Sequence, residues 1–312
     1  MHLSDAQIEH LVDVKQALPA LEAAFRDMAR NRAATQRRVR TEAGGVKLST
    51  LGAVLPEAGV AGAKIYTTIK GQFNFSIVLF STHDGSLLAT LDANTLTRIR
   101  TAATTVLAIR ALANAGATTA AIFGTGVQGA AHAYALAEHT QLRTLRIVGQ
   151  EGVEKLVDEL NARFAGDGLV ACAAEVPGAL DGADVIVTAT RATGPLFAGS
   201  AVAAGALVTA IGSSLPHTRE LDDALLQRAS RIVVEMRSQA REEAGDLLLA
   251  REGAFHWDDV AELGEVLEQQ RPGRTSRDDV IVYKAVGIGL QDIALAGLAY
   301  RNYMAGNANI TR

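Results

Sequence analysis

The sequence predicts an α/β protein that combines a doubly wound parallel sheet with a second, α+β domain. From Thr118 to about Asp279, short apolar runs typical of strands alternate with helical segments across short loops, which favours a parallel sheet covered by helices. A separate group of strand-like runs lies earlier, between Lys47 and Asp92. The chain has 312 residues, of which 48% are hydrophobic, so it is long enough for about two domains.

The first part of the chain predicts helices followed by a sheet of its own. Residues 5–33 carry apolar side chains at helical spacing and predict one or two helices. Breaks at Gly71 and at the Asp84-Gly85 turn separate the strands that follow. These predicted strands are Val60–Thr68, Ser76–Phe80 and Leu87–Asp92. Residues 95–114 are rich in alanine, leucine and threonine and predict the next helix.

The later part of the chain predicts the parallel sheet and a long C-terminal helix. The predicted parallel strands are Thr119–Phe123, Leu145–Val148, Leu169–Cys172, Val185–Thr188, Leu207–Ile211 and Ile232–Val234. Residues 279–304 form one more helical pattern, whose wide apolar face predicts burial in the first domain or in a subunit contact. We therefore expect one domain over residues 1–115, completed by a C-terminal helix over 280–312, and a second domain over residues 116–279.

Composition and charge exclude several classes of function. The 30 Lys and Arg residues against 34 Asp and Glu residues create no basic field that would attract nucleic acid or an anionic membrane. The apolar runs are much shorter than the roughly 20 residues that a membrane span needs. The first residues predict a helix capped by Ser4 instead of a targeting segment, so we expect a cytoplasmic protein. A single cysteine, Cys172, excludes an internal disulfide, and we assign no metal site.

A glycine-rich turn follows the first predicted parallel strand. The pattern G-x-G-x-x-G stands between the strand Thr119–Phe123 and a helix, and a second strand begins at Leu145. The first glycine permits the tight turn, the second lets backbone amides reach a pyrophosphate, and the third lets the helix pack on the strand. We therefore predict a Rossmann domain that binds NAD or NADP. The predicted contacts are Gly124, Thr125, Gly126, Val127, Gln128 and Gly129.

The end of the second parallel strand bears on the choice of cofactor. A carboxylate there bonds the ribose 2′-hydroxyl of NAD, whereas an arginine accommodates the 2′-phosphate of NADP. The corner holds Gly149 at the expected acidic position, and Glu151 follows two residues later. We include Gln150 and Glu151 in the cofactor site and favour NAD, because the corner has no arginine and Glu151 would repel a phosphate.

Two cations outside the glycine-rich domain stand in apolar surroundings. Lys64 lies in a run otherwise suited to a buried strand, and Arg100 opens an alanine-rich helix. A buried cation costs free energy unless an anion meets it, and a substrate carboxylate is such an anion. An arginine fork matches a carboxylate particularly well. The alternative explanation is a solvated lysine at a strand edge and an arginine on the surface.

Several motifs together resemble those of the ornithine cyclodeaminase/mu-crystallin family. They occur in the family's order over nearly the whole chain: Arg100-Thr101-Ala102-Ala103, Gly124 to Gly129, Gly245-Asp246-Leu247, Pro272 to Ser276, and Tyr283 to Gly287. The family includes a deaminating cyclase, alanine dehydrogenases and reductases of imines and ketimines. The resemblance therefore implies a nicotinamide-dependent enzyme of amino-acid metabolism without selecting one reaction.

The resemblance also implies roles for particular residues. It implies a homodimer whose first domain binds the substrate and pairs with its copy. By motif, Lys64 and Arg100 are similar to the family's carboxylate-binding pair, and Arg40 to its third cation. Arg37 and Arg38 stand so close to Arg40 that this last match can shift by two residues. The residues that the resemblance places near the nicotinamide ring include Lys284 and Val286.

The segment after the strand Leu207–Ile211 departs from the cyclodeaminase pattern. Ornithine cyclodeaminases carry an aspartate at the position that aligns with Ser214, and this aspartate is the acid or base expected for cyclising ornithine. A serine has no titratable group near neutral pH, so it cannot take that role by itself. In this respect the chain is similar to the ketimine-reducing branch of the family. The alternative explanation for Ser213 and Ser214 is a polar turn after a strand.

These observations predict an NAD(P)H-dependent reductase of a small imino or ketimine carboxylic acid. Because substrates meet cofactors at the carboxyl ends of parallel strands, we add Thr188 and Ser213 to the cofactor site. The imine nitrogen can take its proton from Lys64, from Ser214 through a water, or from His217, whose imidazole titrates near neutral pH. The alternatives are an alanine-type amino-acid dehydrogenase, an ornithine cyclodeaminase, and a non-catalytic protein that binds a small ligand together with the dinucleotide.

Overall fold

The computed structural model of the protein describes residues 1–308 of the chain. The strands are β1 (His2–Leu3), β2 (Ala34–Thr35), β3 (Val39–Ala43), β4 (Val46–Leu55), β5 (Val60–Ile69), β6 (Gln72–Ser81), β7 (Leu87–Asp92), β8 (Thr119–Phe123), β9 (Thr144–Val148), β10 (Val170–Ala173), β11 (Val185–Thr188), β12 (Leu207–Ala210), β13 (Arg231–Val234), β14 (Ala261–Glu262) and β15 (Ile281–Lys284). The helices are α1 (Asp5–Leu11), α2 (Val14–Ala29), α3 (Asn94–Leu112), α4 (Val127–His139), α5 (Val153–Arg163), α6 (Val176–Leu180), α7 (Asp223–Arg228), α8 (Arg237–Glu243), α9 (Gly245–Leu248), α10 (Leu263–Leu267) and α11 (Gly289–Ala308). Within this described part, no helix is both long and apolar enough to cross a membrane.

The described chain divides into two compact units. Unit 1 comprises Met1–Thr104 and the described residues from Gly287 onward, and unit 2 comprises Thr105–Val286. These limits differ from the predicted boundaries at 115/116 and 279/280, because α3 runs without a break through Thr104 and because β15 belongs to the sheet of unit 2. The predicted C-terminal helix extends to residue 312, and residues 309–312 lie outside the described part of the chain.

Unit 1 has the predicted α+β architecture, with helices packed on a mainly antiparallel sheet. The sheet order is β1-β7-β6-β5-β4-β2, with β3 paired to β4, and β1 runs parallel to β7. Helix α11 packs on β4, β5 and β6 and beside α2. Its close approach requires glycine at the helix start, because a Cβ at Gly289 would lie 2.5 Å from the carbonyl oxygen of Gly52. The first turn of α11 is thereby pressed against β4.

Unit 2 is a doubly wound parallel sheet in the order β10-β9-β8-β11-β12-β15-β13-β14. Its strand pairs are parallel throughout. From β8 the chain steps outward to β9 and β10, and it then returns to β11 on the other side of β8. The topological switch point therefore lies between β8 and β11. Open α/β sheets bind ligands at such points, outside the carboxyl ends of the strands.

The predicted helix over residues 279–304 is wrong in its first part. Ile281–Lys284 forms β15, which lies between β12 and β13, and helix α11 begins at Gly289. The whole of β15 is buried, so its residues before Lys284 form an apolar run in the sequence without the alternation of a half-exposed strand. Such a run merges with the apolar pattern of the helix that follows. Gly287, with a φ of 75°, makes the turn between them.

Most of the other predicted elements are confirmed. The strands predicted at Thr119–Phe123 and Val185–Thr188 have the same bounds in the structure, and residues 5–33 form α1 and α2. The helix predicted over 95–114 is α3. The sequence does not separately predict β3 and β4, because their positions carry many polar and small residues.

Candidate functional site

The glycine loop after β8 has the geometry that dinucleotide binding requires. Gly124 has a φ of 109°, and a Cβ there would lie 2.5 Å from the carbonyl oxygen of Ala189. A Cβ at Gly129 would overlap the carbonyl oxygen of Gly124, so α4 approaches the loop this closely because the residue is glycine. By contrast, nothing lies within 4 Å of a Cβ built on Gly126, the N-cap of α4. The space at the amino end of α4 is therefore open to a phosphate.

The first turn of α4 also presents groups that suit a bound ligand. The apolar side chain of Val127 is 71% exposed. The side-chain oxygen of Gln128 is buried and has no hydrogen-bond partner among the described residues. A bound ligand can cover the exposed apolar surface and donate a hydrogen bond to the buried oxygen. The predicted loop residues therefore fit a nicotinamide dinucleotide.

The corner after β9 packs on the glycine loop. The hydroxyl of Thr125 donates to the carbonyl oxygen of Glu151 at 2.6 Å. A Cβ at Gly149 would lie 2.9 Å from the methyl carbon of Thr125, which explains why glycine stands at the expected acidic position. Gln150 and Glu151 are exposed beside it, and their contact with a cofactor stays a prediction.

A buried carboxylate that the sequence does not predict joins the ends of β11 and β12. Glu220 has no exposed surface. Its carboxylate accepts from the hydroxyl of Thr188 at 2.8 Å and from the amide and hydroxyl of Thr190 at 2.8 and 2.7 Å. It also accepts from the amides of Gly212 and Ser213 at 2.8 and 3.3 Å. In sequence this glutamate stands in a polar loop, so nothing marks it as the group that fixes both strand ends.

Lys284, at the end of β15, is held inside unit 2. Its side chain has no exposed surface, and its Nζ lies 2.8 Å from Oδ2 of Asp246. The Nζ also donates to the carbonyl oxygens of Ala210 and Ser213. Asp246 in turn accepts from the amide of Glu220 at 2.6 Å. In the structure the side chain of Lys284 is thus held by protein groups, and its contact with the cofactor stays a prediction.

The other predicted cofactor contacts on these strand ends are also buried. Thr188 has no exposed surface, and Ser213 and Val286 are 4% and 7% exposed. The hydroxyl of Ser213 donates to the carbonyl oxygen of Thr218 at 2.6 Å, and the amide of Val286 donates to Glu235 at 2.8 Å. The side chains of Thr188 and Ser213 are thus occupied in ordering the strand ends. Their contact with a cofactor stays a prediction.

The two predicted proton donors of unit 2 lie in the loop after β12. Ser214 is partly buried and His217 is exposed. The loop is anchored by Ser213, whose hydroxyl lies 2.7 Å from that of Thr218. The structure thus brings Ser214 close to the end of β12 and leaves His217 farther along the exposed part of the loop. Across the described residues, no group of three or more His, Cys, Asp or Glu residues is arranged to hold a metal ion.

In unit 1, strand β5 places Lys64 in the interior. Lys64 is 2% exposed, and its Nζ donates to the hydroxyl of Thr97 at 3.0 Å and to Oδ1 of Asp292 at 2.9 Å. The Nζ also lies 4.6 Å from the centre of the Phe75 ring. Burial, opposed by the carboxylate of Asp292 and reinforced by the charge of Arg100, lowers the pKa of Lys64 to about 8. The alternative of a solvated lysine at a strand edge is thereby excluded.

Arg100 lies beside the same carboxylate. It is 8% exposed, its Nε lies 3.3 Å from Oδ1 of Asp292, and its Nη1 donates to the side-chain oxygen of Gln291 at 3.2 Å. The guanidinium lies against Gly287, where a Cβ would come within 2.7 Å of Nη2. The two predicted carboxylate-binding residues, Lys64 and Arg100, therefore share one oxygen of Asp292.

Arg38 also lies in this cluster, two residues before Arg40, the residue that the family resemblance suggests as the third cation. The Nη2 of Arg38 donates to the carbonyl oxygen of Gly287 at 2.8 Å, and the charge of Arg38 contributes to lowering the pKa of Lys64. Arg40 instead bonds Tyr66, and burial together with the charge of Arg38 lowers the pKa of Arg40. These contacts place Arg38 nearer to Lys64 and Arg100, and which of Arg38 and Arg40 meets a substrate carboxylate stays a prediction.

The anion of the cluster, Asp292, is not predicted from the sequence. It has no exposed surface and lies in the first turn of α11. Its neighbour Gln291 accepts from Arg100 and donates to the hydroxyl of Thr104 at 3.0 Å. The sequence feature that could have pointed to Asp292 is the polar pair Gln291-Asp292, which stands in the otherwise apolar first half of this helix.

Unit 1 thus carries an interior site with excess positive charge. Lys64, Arg38 and Arg100 outnumber Asp292, and guanidinium and ammonium groups are the donors that bind carboxylates most strongly in proteins. The arrangement fits a small ligand with a carboxylate group. The glycine loop of unit 2 fits a dinucleotide.

Comparison with known proteins identifies the family. The profile of the Ornithine cyclodeaminase/mu-crystallin family matches residues 1–307. The chain belongs to this family. The resemblance of the motifs is thereby confirmed, and with it the α/β fold class with a parallel sheet.

Several known proteins are similar to this chain over almost its full length. Ketimine reductase mu-crystallin of Mus musculus is 32% identical over 312 aligned residues, which cover 96% of this chain and 95% of that protein. The crystal structure of a probable ornithine cyclodeaminase from Bordetella pertussis Tohama I has 52% identity and a TM-score of 0.95, covering 99% of this chain and 98% of the other. Iminosuccinate reductase of Paracoccus denitrificans in complex with NAD⁺ has 27% identity and a TM-score of 0.89, covering 98% and 97%.

Proposed function

We propose that this chain is an NAD(P)H-dependent reductase of a small imino or ketimine carboxylic acid. The observation that carries the proposal is the buried pair of cations, Lys64 and Arg100, in a chain whose other unit carries an open dinucleotide loop. A carboxylate fits the first feature and a pyrophosphate fits the second. The relatives named as ketimine reductase and iminosuccinate reductase support the same reaction class.

The chemistry divides between substrate placement and proton supply. NADH or NADPH, when bound, would supply the hydride for the imine carbon, and the protein would supply the proton that the imine nitrogen takes to give the amine. The amides of the first turn of α4, next to Gly126, would hold the pyrophosphate. Lys64, Arg100 and Arg38 would bind the substrate carboxylate and fix the imine carbon in one orientation, which lowers the entropic cost of the reaction. Lys64, Ser214 through a water, and His217 stay the candidate proton donors.

Cyclodeamination of ornithine is the alternative reaction, because the similar protein from Bordetella pertussis is named a probable ornithine cyclodeaminase. That reaction needs a titratable acid or base where this chain has Ser214. Glu220, the nearest buried carboxylate along the chain, is saturated by the donors of Thr188, Thr190, Gly212 and Ser213. Its geometry is that of a structural anchor, so it does not replace the missing aspartate. These contacts favour reduction over cyclodeamination.

The decisive experiment follows oxidation of NADH and NADPH through the nicotinamide absorbance. The substrates are pyrroline-2-carboxylate as a cyclic imine, and pyruvate, oxaloacetate and glyoxylate, each with and without ammonia or methylamine. Turnover of the cyclic imine, or of a keto acid together with methylamine, supports the reductase. Strict dependence on ammonia with a keto acid indicates an alanine-type dehydrogenase instead. Conversion of ornithine to proline without net NADH change would overturn the proposal.

Variants of the cation pair test the substrate site directly. Lys64→Ala and Arg100→Ala should each lower kcat/KM by roughly 10- to 100-fold, because each removes a charged hydrogen bond to the carboxylate. Arg98→Ala is the matched control, because Arg98 lies on the same helix and pairs with Glu9 with its side chain 35% exposed. Wild-type kinetics in the Lys64 and Arg100 variants would contradict the assignment of these residues to the substrate carboxylate.

A further inference from the structure

The carboxylate of Asp292 is compensated by two cations on a single oxygen. Oδ1 accepts from Lys64 at 2.9 Å and lies 3.3 Å from Nε of Arg100. Oδ2 is buried and has no hydrogen-bond partner among the described residues. Backbone amides or hydroxyls therefore do not disperse the charge of this carboxylate, in contrast to Glu220 in unit 2. The charge acts almost entirely on Lys64 and Arg100.

The first turn of α11 supports both cations from one rigid element. Asp292 bonds Lys64, and Gln291 bonds Arg100 while its amide group donates to Thr104. The turn itself is fixed by the contact of Gly289 with the backbone of β4. Lys64 and Arg100 lie on β5 and α3, so a third element, α11, holds them side by side.

We propose that Asp292 is a positioning residue that keeps Lys64 and Arg100 together, both charged, as one carboxylate-binding pair. The inference rests on the proposed reductase function, because it assigns the pair to the substrate carboxylate. Asp292 touches the cations and acts on the substrate through them. Its own buried position, with no exposed surface, keeps it behind the pair.

The groups around Lys64 show why the charge of Asp292 matters. Thr97 and Arg100 face it from α3, Phe75 from β6, and Arg38 acts on it from the segment before β3. Thr97 and Phe75 are neutral, and both arginines disfavour a positive charge on Lys64. Without the Asp292 charge, burial and the two arginines act unopposed, and the pKa of Lys64 falls below about 8. Lys64 then loses its proton, and its attraction for a carboxylate, at lower pH.

The test compares Asp292→Asn with Asp292→Glu, which retains the charge. Glu57→Gln, at an exposed position of unit 1, controls for the loss of one negative charge. The probe is pyrrole-2-carboxylate, a planar analogue of a cyclic imino acid, whose dissociation constant is measured by calorimetry between about pH 6 and pH 9.5. Binding to the wild type and to Glu57→Gln should weaken as pH rises through about 8, where Lys64 becomes neutral. In Asp292→Asn this weakening should begin roughly one pH unit lower or more.

Asp292→Glu should bind less tightly at every pH because its carboxylate is displaced, but it should keep the wild-type pH dependence. Uniformly weaker binding in Asp292→Asn, with an unshifted pH profile, would show a purely structural role and overturn the inference. If thermal unfolding shows that Asp292→Asn does not fold, Asp292→Ser, which is neutral and smaller, takes its place: a profile shifted to lower pH supports the inference, and an unshifted one contradicts it.

The same measurements separate this inference from the proposed function. Imine reduction by the wild type without a shift in Asp292→Asn overturns the role of Asp292 and leaves the reductase standing. A shifted binding profile in Asp292→Asn without any imine reduction by the wild type supports the role of Asp292 and overturns the reductase. Absence of binding and of turnover in the wild type overturns both.

Discussion

Lys64 and Lys47 both form ion pairs within unit 1, but in different surroundings. The side chains of Lys64 and Asp292 are 3% and 0% exposed, whereas those of Lys47 and Glu42 are 35% and 58% exposed. Lys64→Ala leaves the buried carboxylate of Asp292 with one cation fewer and without the hydrogen bond from Lys64, so it should lower the free energy of unfolding by roughly 2–4 kcal/mol. Lys47→Ala should change it by less than about 1 kcal/mol. Denaturant unfolding checks both values, and equal losses would contradict the argument.

The residues at the corner after β9 predict which dinucleotide is preferred. Gln150 and Glu151 are exposed there, and Gly149 has no room for a longer side chain against Thr125. The wild type should use NADH with a kcat/KM at least about tenfold above that for NADPH, since a 2′-phosphate would meet Glu151 and no arginine.

Gln150→Arg should narrow this difference by raising the kcat/KM for NADPH, because a guanidinium can bind the 2′-phosphate. Gln150→Ala is the control for the loss of the amide. Initial rates with both cofactors, measured with the same imine, check the prediction. A wild-type preference for NADPH would contradict the prediction and indicate that a cation outside this corner binds the 2′-phosphate.

Individual site residues differ in how far the sequence reveals them. Lys64 and Arg100 are predictable because a cation in an apolar run is costly and therefore conspicuous. Glu220 and Asp292 are not predicted, although both are fully buried. Asp292 contacts Lys64 across a separation of 228 positions, and Glu220 contacts Thr188 across 32, and no local pattern encodes such tertiary contacts.

At the scale of elements, the junction of β8 and α4 gives the sharpest test of the cofactor site. A Cβ at Gly126 would meet nothing within 4 Å, so Gly126→Ala should fold with an unchanged melting temperature. The added methyl group would nevertheless occupy space next to the pyrophosphate, and NADH affinity should fall by about tenfold or more. Fluorescence titration of NADH and thermal unfolding measure the two quantities.

Gly116→Ala is the matched control for that experiment. Gly116 also has open space around a Cβ, but it lies in the exposed turn before β8, away from the glycine loop. Its substitution should change neither the melting temperature nor the affinity for NADH. Unchanged NADH affinity in Gly126→Ala would mean that the dinucleotide does not approach the amino end of α4.

A helix or strand can be predicted from the sequence where the spacing of its apolar residues is distinct from that of its neighbours and turn residues mark its ends. The strand Thr119–Phe123 is bounded by turn residues on both sides, so its limits are clear from the sequence. Strand β15 is buried on both faces, and it stands a few residues before an apolar helix that is itself buried nearly all round. Periodicity cannot separate two such neighbours. Its place between β12 and β13 is decided by sheet pairing, which is a long-range property.

At the scale of the whole molecule, one face of the sheet in unit 1 is unusually apolar. The registers β4–β5 and β5–β6 place alternate residues of these strands on the face opposite the buried side chains of Leu51 and Lys64. This apolar face, as we name it, has exposed large side chains at Val39, Val46, Leu48, Val54, Ile65, Ile69, Phe80 and Leu87. A contiguous apolar surface of this kind in a globular protein marks a site of association.

We propose that a second copy of this chain covers the apolar face, as the family resemblance implies. Leu48 and Ile65 are 45% and 38% exposed on it. The double variant Leu48→Lys/Ile65→Lys should therefore be monomeric where the wild type is dimeric, because an isologous contact places both charges in the interface twice. Val170→Lys, at a 57% exposed position on the edge strand β10, should leave the dimer intact. Light scattering after size-exclusion chromatography gives each mass, and a monomeric wild type at micromolar concentration would refute the homodimer.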